Sequence, residues 1–143
     1  MARLTIPKSV ADWNKIGADY LPGHLGIEFL AVDADEVRAR MRVERHVCAS
    51  NGYLHAGTVV SLADTCCGYA TVRNLPEDAV GFTTLELKSN FLGTALEGDV
   101  LCRATPVHKG RTTQVWDAVV RAAASGKSIA LFRCTQMILR PRT

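Results

Sequence analysis

Residues 56–74 form the one segment of this chain with the length and pattern of a long helix. Val59, Leu62, Ala63, Cys66 and Ala70 make one apolar stripe and Val60, Cys67 and Val72 another, so this helix is expected to be buried on most sides. Leu75-Pro76-Glu77-Asp78 ends it, because proline cannot continue the hydrogen-bond ladder. Four strand-like runs follow, over residues 81–91, 99–108, 112–123 and 128–139. They are separated by residues 93–98, Lys109-Gly110-Arg111 and Ser125-Gly126-Lys127. The expected fold class is therefore α+β, an antiparallel sheet wrapped around one helix. A curved sheet covers only one side of such a helix and its edge strands lack partners, so at least a dimer is expected.

Ahead of the long helix, Ser9 caps a short segment over residues 9–19 in which Val10, Trp13 and Ile16 recur at helical spacing, read as a lid-like helix before Leu21-Pro22-Gly23. Residues 25–32 and 36–43 read as two strands joined at Asp33-Ala34-Asp35. In the second, Val37, Ala39, Met41 and Val43 alternate with Arg38, Arg40 and Arg42, which places the arginines on a water-facing surface.

A length of 143 residues suits one domain, with the core over about 21–139. The 48% hydrophobic and 22% charged content excludes a disordered chain. The net charge of +3 is too mild, and too little clustered with aromatics, to point to nucleic acid. Five cysteines, Cys48, Cys66, Cys67, Cys102 and Cys134, are odd in number and lack metal-site spacing, which fits reduced thiols in the cytoplasm. No apolar signal core and no run of about 18 apolar residues is present, so neither secretion nor a membrane span is expected.

The chemistry concentrates in residues 51–68. Asp64 is a lone carboxylate in an otherwise apolar or small helix, costly as an ion unless something pairs or uses it. Arg73 and Lys88 are the cations that would pair it. The glycine-flanked turn before it carries His55, Ala56 and Gly57, where backbone N–H groups at a helix start are free to meet a ligand oxygen. An acid and an oxyanion site together suggest a hydrolase.

Several segments carry a family resemblance: Asn51-Gly-Tyr-Leu-His-Ala-Gly57 followed by Leu62-Ala63-Asp64, then Gly81-Phe-Thr-Thr-Leu-Glu-Leu-Lys-Ser-Asn-Phe-Leu92, Glu97-Gly98-Asp99 and His108-Lys-Gly-Arg111. In this order and spacing the chain resembles the hotdog-fold acyl-CoA thioesterases, in the branch related to the phenylacetate-pathway and 4-hydroxybenzoyl-CoA enzymes. Their pattern is a Gly-x-x-His-Gly-Gly turn with an acid nine residues after the histidine. The resemblance covers roughly residues 21–139. It implies a helix inside a wrapped sheet, dimers or tetramers with active sites at the dimer interface, and hydrolysis of acyl-CoA to a carboxylic acid and coenzyme A. No separate cofactor is implied, coenzyme A being part of the substrate. By position, Asp64 matches the catalytic carboxylate, as nucleophile or general base, and the N–H at Ala56 or Gly57 matches the oxyanion donor. His55 matches a residue beside the thioester. Two departures stand out: Ala56 replaces a glycine, and Ala49 occupies a position often held by Gln or Asn, where nearby Asn51 is the substitute.

Beside these, His55 reads equally as a turn residue bonded to backbone or as support for the leaving thiolate. Thr83 and Thr84 begin a strand that the implied fold brings over the partner's active site, where a hydroxyl would hold water. Lys109 and Arg111 are either a solvated hairpin or a clamp for coenzyme A phosphates, with Arg140 and Arg142 adding to the clamp. Lys88, Ser89 and Asn90 are further substrate candidates, Asn90 also reading as a turn residue. Cys66 and Cys67 have no evident base and read as packing. No metal cluster is expected. Trp13, Phe29, Tyr69, Phe82 and Phe91 either line an aromatic pocket or fill the core. The competing functions are a non-catalytic acyl-CoA-binding module and, last, a hydratase.

Overall fold

The alternation of Val37, Ala39 and Met41 with Arg38, Arg40 and Arg42 builds β2 (Val37–Arg42), whose apolar side is almost completely buried and whose arginines are exposed. In this computed structural model, which describes residues 4–142, β2 pairs with β1 (Glu28–Val32) across the Asp33–Glu36 turn. The arginines hold surface carboxylates: Arg38 and Arg103 meet Glu36 and Arg40 meets Glu28, each at 2.8 Å. Such exposed pairs contribute at most about 1 kcal/mol each.

The long helix α3 spans Ala56–Arg73, and β3 (Gly81–Phe91), β4 (Asp99–Lys109), β5 (Thr113–Ala122) and β6 (Ser128–Leu139) follow. Together with β1 and β2 they form one antiparallel sheet in the order β1-β2-β4-β5-β6-β3. Leu62, Ala63, Cys66, Cys67 and Ala70 of α3 pack on the inner face of the sheet, against Met41, Val100, Trp116, Val120 and Phe132 among others. Burial of each large side chain contributes roughly 2 kcal/mol. The Cys66 thiol lies on that of Cys102 and the Cys67 thiol on that of Cys134; these contacts, with burial, push both well above the ordinary thiol range. They are packing groups.

The N-terminal segment departs from expectation. Gly17 ends α1 (Val10–Ile16), and a second short helix, α2 (Leu21–Leu25), starts with Pro22 in its first turn. β1 accordingly begins at Glu28, three residues later than the pattern suggests. Nor is α1 a lid: Trp13 is 2% exposed and packs on Tyr69, while the Asn14 side chain donates to Phe29 O at 3.1 Å and accepts from Phe29 N at 2.8 Å.

The C-terminal end of α3 is pinned. Asn74 Nδ2 donates to Ala34 O at 2.9 Å and to Ala70 O at 2.8 Å. Buried Gln114 donates to Asn74 O at 3.1 Å and accepts from Trp116 Nε1 at 3.0 Å. No helix among the described residues is long and apolar enough to cross a membrane.

Candidate active site

The start of α3 is held by the loop before it. Cys48 and Leu54 form an isolated antiparallel bridge, Ala49 N donates to Tyr53 O at 2.8 Å, and Gly52 turns the chain at φ +89°, where a side chain would be strained. Val47 O then accepts twice, from His55 N at 3.2 Å and from the Thr58 hydroxyl at 2.8 Å. His55 is the N-cap, with extended backbone (φ −67°, ψ 135°). Its Nδ1 accepts the Gly57 N–H at 2.7 Å, and its carbonyl accepts from Thr58 N and Val59 N. A Cβ at residue 57 would stand 3.0 Å from that Nδ1, so glycine lets the ring close over the helix end. Among the described residues, the Ala56 N–H is the helix-start amide left without an acceptor. Of the two amides expected as donors, that of Gly57 is occupied and that of Ala56 is free.

Asp64 sits two turns further along α3. One turn beyond it, Gly68 meets Phe82 of β3, so this side of the helix faces β3. Burial raises the Asp64 carboxyl above its ordinary range, and its Oδ1 is buried without a hydrogen-bond partner. Neither expected cation pairs with it: Arg73 is exposed near the helix end, and Lys88 lies on the far face of the sheet. The face of each β3 residue follows from β6, where buried Phe132 and Cys134 alternate with exposed Leu131 and Arg133. Lys88 pairs with Arg133 and Asn90 with Leu131, both on the outer face, whereas Ser89 pairs with Phe132 and faces the helix. The Ser89 hydroxyl is buried and unpartnered.

The other sequence candidates scatter. Thr83 and Thr84 are exposed at the start of β3; Thr83 pairs with exposed Met137 on the outer face, whereas Thr84 pairs with buried Gln136 on the face toward the helix. Asn90 lies within a strand, not a turn, on the face away from Asp64. Asn51 is on the loop before the helix start, its Oδ1 accepting from Tyr53 N at 3.2 Å. Lys109 is at the opposite end of α3, with its ammonium 2.6 Å from Asp35 Oδ1 and 3.3 Å from Asn74 Oδ1. Arg111 stands on that side too; its carbonyl accepts from Arg140, whose guanidinium also holds Asp78 at 2.6 Å and keeps that carboxyl below its usual range. Phe29 and Tyr69 stack at 4.3 Å in the cluster with Trp13, so Trp13 and Phe29 fill the core and partly buried Tyr69 packs against it.

The geometry is a half-buried acid, its Oδ1 without a partner among the described residues, on a helix whose capped start presents one free amide. Residues 51–129, more than half of the chain and spanning all of these groups, match the family described as the Thioesterase superfamily. The chain belongs to that superfamily. This thioesterase is 29% identical over 118 residues to a 1,4-dihydroxy-2-naphthoyl-CoA hydrolase of Listeria monocytogenes, covering 82% of this chain and 94% of the relative. It is 30% identical to the proofreading thioesterase EntH of Cronobacter turicensis, covering 75% and 77%. Its fold superposes on a crystal structure of a thioesterase from Haemophilus influenzae with a TM-score of 0.86 at 30% identity, covering 94% and 92%. A Pseudomonas aeruginosa thioesterase gives 0.88 at 28%, covering 94% and 96%. The fold of this thioesterase is the hotdog fold, its helix α3 held within the six-stranded sheet.

Proposed function

We propose that this thioesterase hydrolyses acyl-CoA to a free carboxylic acid and coenzyme A, with Asp64 as nucleophile or general base and the Ala56 N–H as oxyanion donor. The observation that carries this reading is the pair of unsatisfied groups on α3: a half-buried carboxylate whose buried Oδ1 lacks a partner and a helix-start amide without an acceptor among the described residues. The thioester carbonyl oxygen accepts from Ala56 N–H and the carbonyl carbon becomes electrophilic. Asp64 either removes a proton from an attacking water or attacks directly, forming an anhydride that water then opens. The C–S bond breaks and the thiolate takes a proton. With Nδ1 engaged by Gly57, His55 carries its proton on Nε2, where it supports the departing sulfur. Thr84 and Ser89, both on the face of β3 toward α3, are the hydroxyls that would hold water.

One chain cannot complete this site. Ala56 and Asp64 are eight residues apart on one helix, about 12 Å along its axis, whereas a reacting carbonyl needs the amide within roughly 3 Å of its oxygen and the carboxylate within roughly 3 Å of its carbon or of the water that attacks it. Each site therefore takes Asp64 from one copy and Ala56 from another. β3 is the sheet-edge strand beside Asp64, and Leu85 at 55%, Leu87 at 41% and Phe91 at 46% exposure are apolar surface in need of a cover. Pairing of β3 with β3 of a second copy buries them and brings the two helices together.

The test is thiol release from aromatic, short-chain and long-chain acyl-CoAs by two crippled proteins. Asp64→Asn removes the base or nucleophile; Ala56→Pro removes the N–H at the helix position that tolerates proline best. Each alone is expected to lose at least about a hundredfold in turnover. Co-refolded in equal amounts, half the dimers are mixed and each carries one intact site, so roughly a quarter of wild-type activity returns. Full activity in Asp64→Asn overturns the assignment, and failure of mixing to restore turnover overturns the shared site.

A further inference from the structure

Acyl-CoA carries a pyrophosphate and a 3′-phosphate far from the thioester, and nothing assigned so far meets them. Of the cations singled out from sequence, Lys109 is engaged by Asp35 and Asn74 and Arg140 by Asp78.

At the start of α3, the capping loop lines an open cavity of about 760 Å³ with Arg45, Ser50, Asn51 and Gly52, and Glu44 and Leu96 line it too. Arg45 is exposed, in the short 3₁₀ turn Arg45–Val47, and forms no ion pair with a described residue. Glu44, the acid nearest in sequence, points its carboxylate at His46 Nδ1 at 3.6 Å. Asn51 spends its Oδ1 on Tyr53 N, which leaves its amide donors free, and Ser50 adds an exposed hydroxyl. A guanidinium, an amide and a hydroxyl around an open cavity are the donors that phosphate oxygens accept from. The cavity is also wired to the chemistry, because Val47, at the end of the same 3₁₀ turn, accepts both His55 N and the Thr58 hydroxyl.

We propose that Arg45, with Ser50 and Asn51, holds the phosphates of the coenzyme A moiety at the mouth of the active site. This assignment rests on the acyl-CoA reading above. Because Arg45 is exposed, its attraction for phosphate is screened by salt.

The experiment compares two thioesters with the same acyl group, the one turned over fastest in the acyl-CoA panel: the CoA thioester and the N-acetylcysteamine thioester, which lacks every phosphate. Steady-state kinetics are measured on wild type, Arg45→Ala and Arg45→Lys at two salt concentrations. The expected result is a five- to thirtyfold higher KM for the CoA thioester in Arg45→Ala with kcat held, partial rescue in Arg45→Lys, and a weaker salt dependence of KM. The ratio of the two substrates' KM values shrinks accordingly, and adenosine 3′,5′-bisphosphate loses potency as a competitive inhibitor. An unchanged KM for the CoA thioester, or an equal rise on both substrates, overturns the phosphate role while leaving acyl-CoA hydrolysis standing. Wild-type turnover of the truncated thioester alone, or of neither, overturns the acyl-CoA reading and this assignment with it.

Discussion

His55 Nδ1 accepts the Gly57 N–H at 2.7 Å, so one ring both caps α3 and is fixed with its proton on Nε2. The two tasks separate by mutation. His55→Asn keeps a side-chain acceptor at the N-cap and is expected to unfold within a degree or two of wild type, yet to lose about ten- to a hundredfold in kcat. His55→Ala loses both, with about 1 kcal/mol of stability gone as well. Thermal melts beside thiol-release kinetics check this, and equal kcat in the two proteins and wild type leaves His55 a cap only.

Asp64 makes a prediction with a definite pH sense. Burial raises its carboxyl in the folded protein, so folding favours the protonated form. Its contribution to stability is fully present below the ordinary carboxylate range and is lost as pH rises through the raised value. Asp64→Asn, which cannot ionise, is therefore expected to melt higher than wild type at neutral pH, the gap closing on acidification. Turnover runs the other way. In the proposed mechanism the ionised form does the work, so kcat/KM of wild type is expected to fall on its acid side at a pH above that of an ordinary carboxylate. Melting curves and a pH–rate profile test the two halves, and a less stable Asp64→Asn at neutral pH contradicts the unpaired burial.

If copies pair through the exposed apolar edge of β3, as proposed, assembly and activity are lost together. Leu87→Asp places a charge where a second sheet edge is expected, and the protein should sediment as a monomer with turnover at least about a hundredfold lower. An active monomer contradicts a site shared between copies.

Gln136 is fully buried, and its Oε1 has no hydrogen-bond partner while its Nε2 reaches only the Cys134 sulfur at 3.4 Å. An unsatisfied buried acceptor costs about 1–3 kcal/mol. Gln136→Met, similar in shape and apolar, is expected to leave the melting temperature unchanged or raise it by up to a few degrees. A drop of several degrees shows instead that Gln136 holds a water or a partner within the sheet.

The legible and illegible parts of this molecule differ for physical reasons. Residues 81–91 and 128–139 match β3 and β6 end to end, and the start of α3 at Ala56 is marked by the glycine-rich turn before it. The N-terminal helix was harder, because Leu21-Pro22-Gly23 reads as a break although proline in a first turn opens α2. The face of β3 was hidden altogether. A bulge between Thr84 and Glu86 shifts the alternation, so beyond it odd-numbered residues face the helix. That shift sends Asn90 outward and turns Ser89 inward. Arg45 carried no motif, and only its place beside the capping loop singles it out.

The anchoring of α3 at both ends gives it a further property. Asn74, Gln114 and Lys109 hold its far end to the sheet and the β1–β2 turn, and Val47 holds its start. A rod fixed at two points cannot slide to absorb a change in length. In the proposed shared site, the count of residues between Ala56 and Asp64 then acts as a gauge block: it sets where one copy's acid would meet the other copy's amide. Substitutions along this stretch adjust what the site accepts, but a single inserted residue would swing Asp64 by about 100° away from β3 and put both half-sites out of step at once.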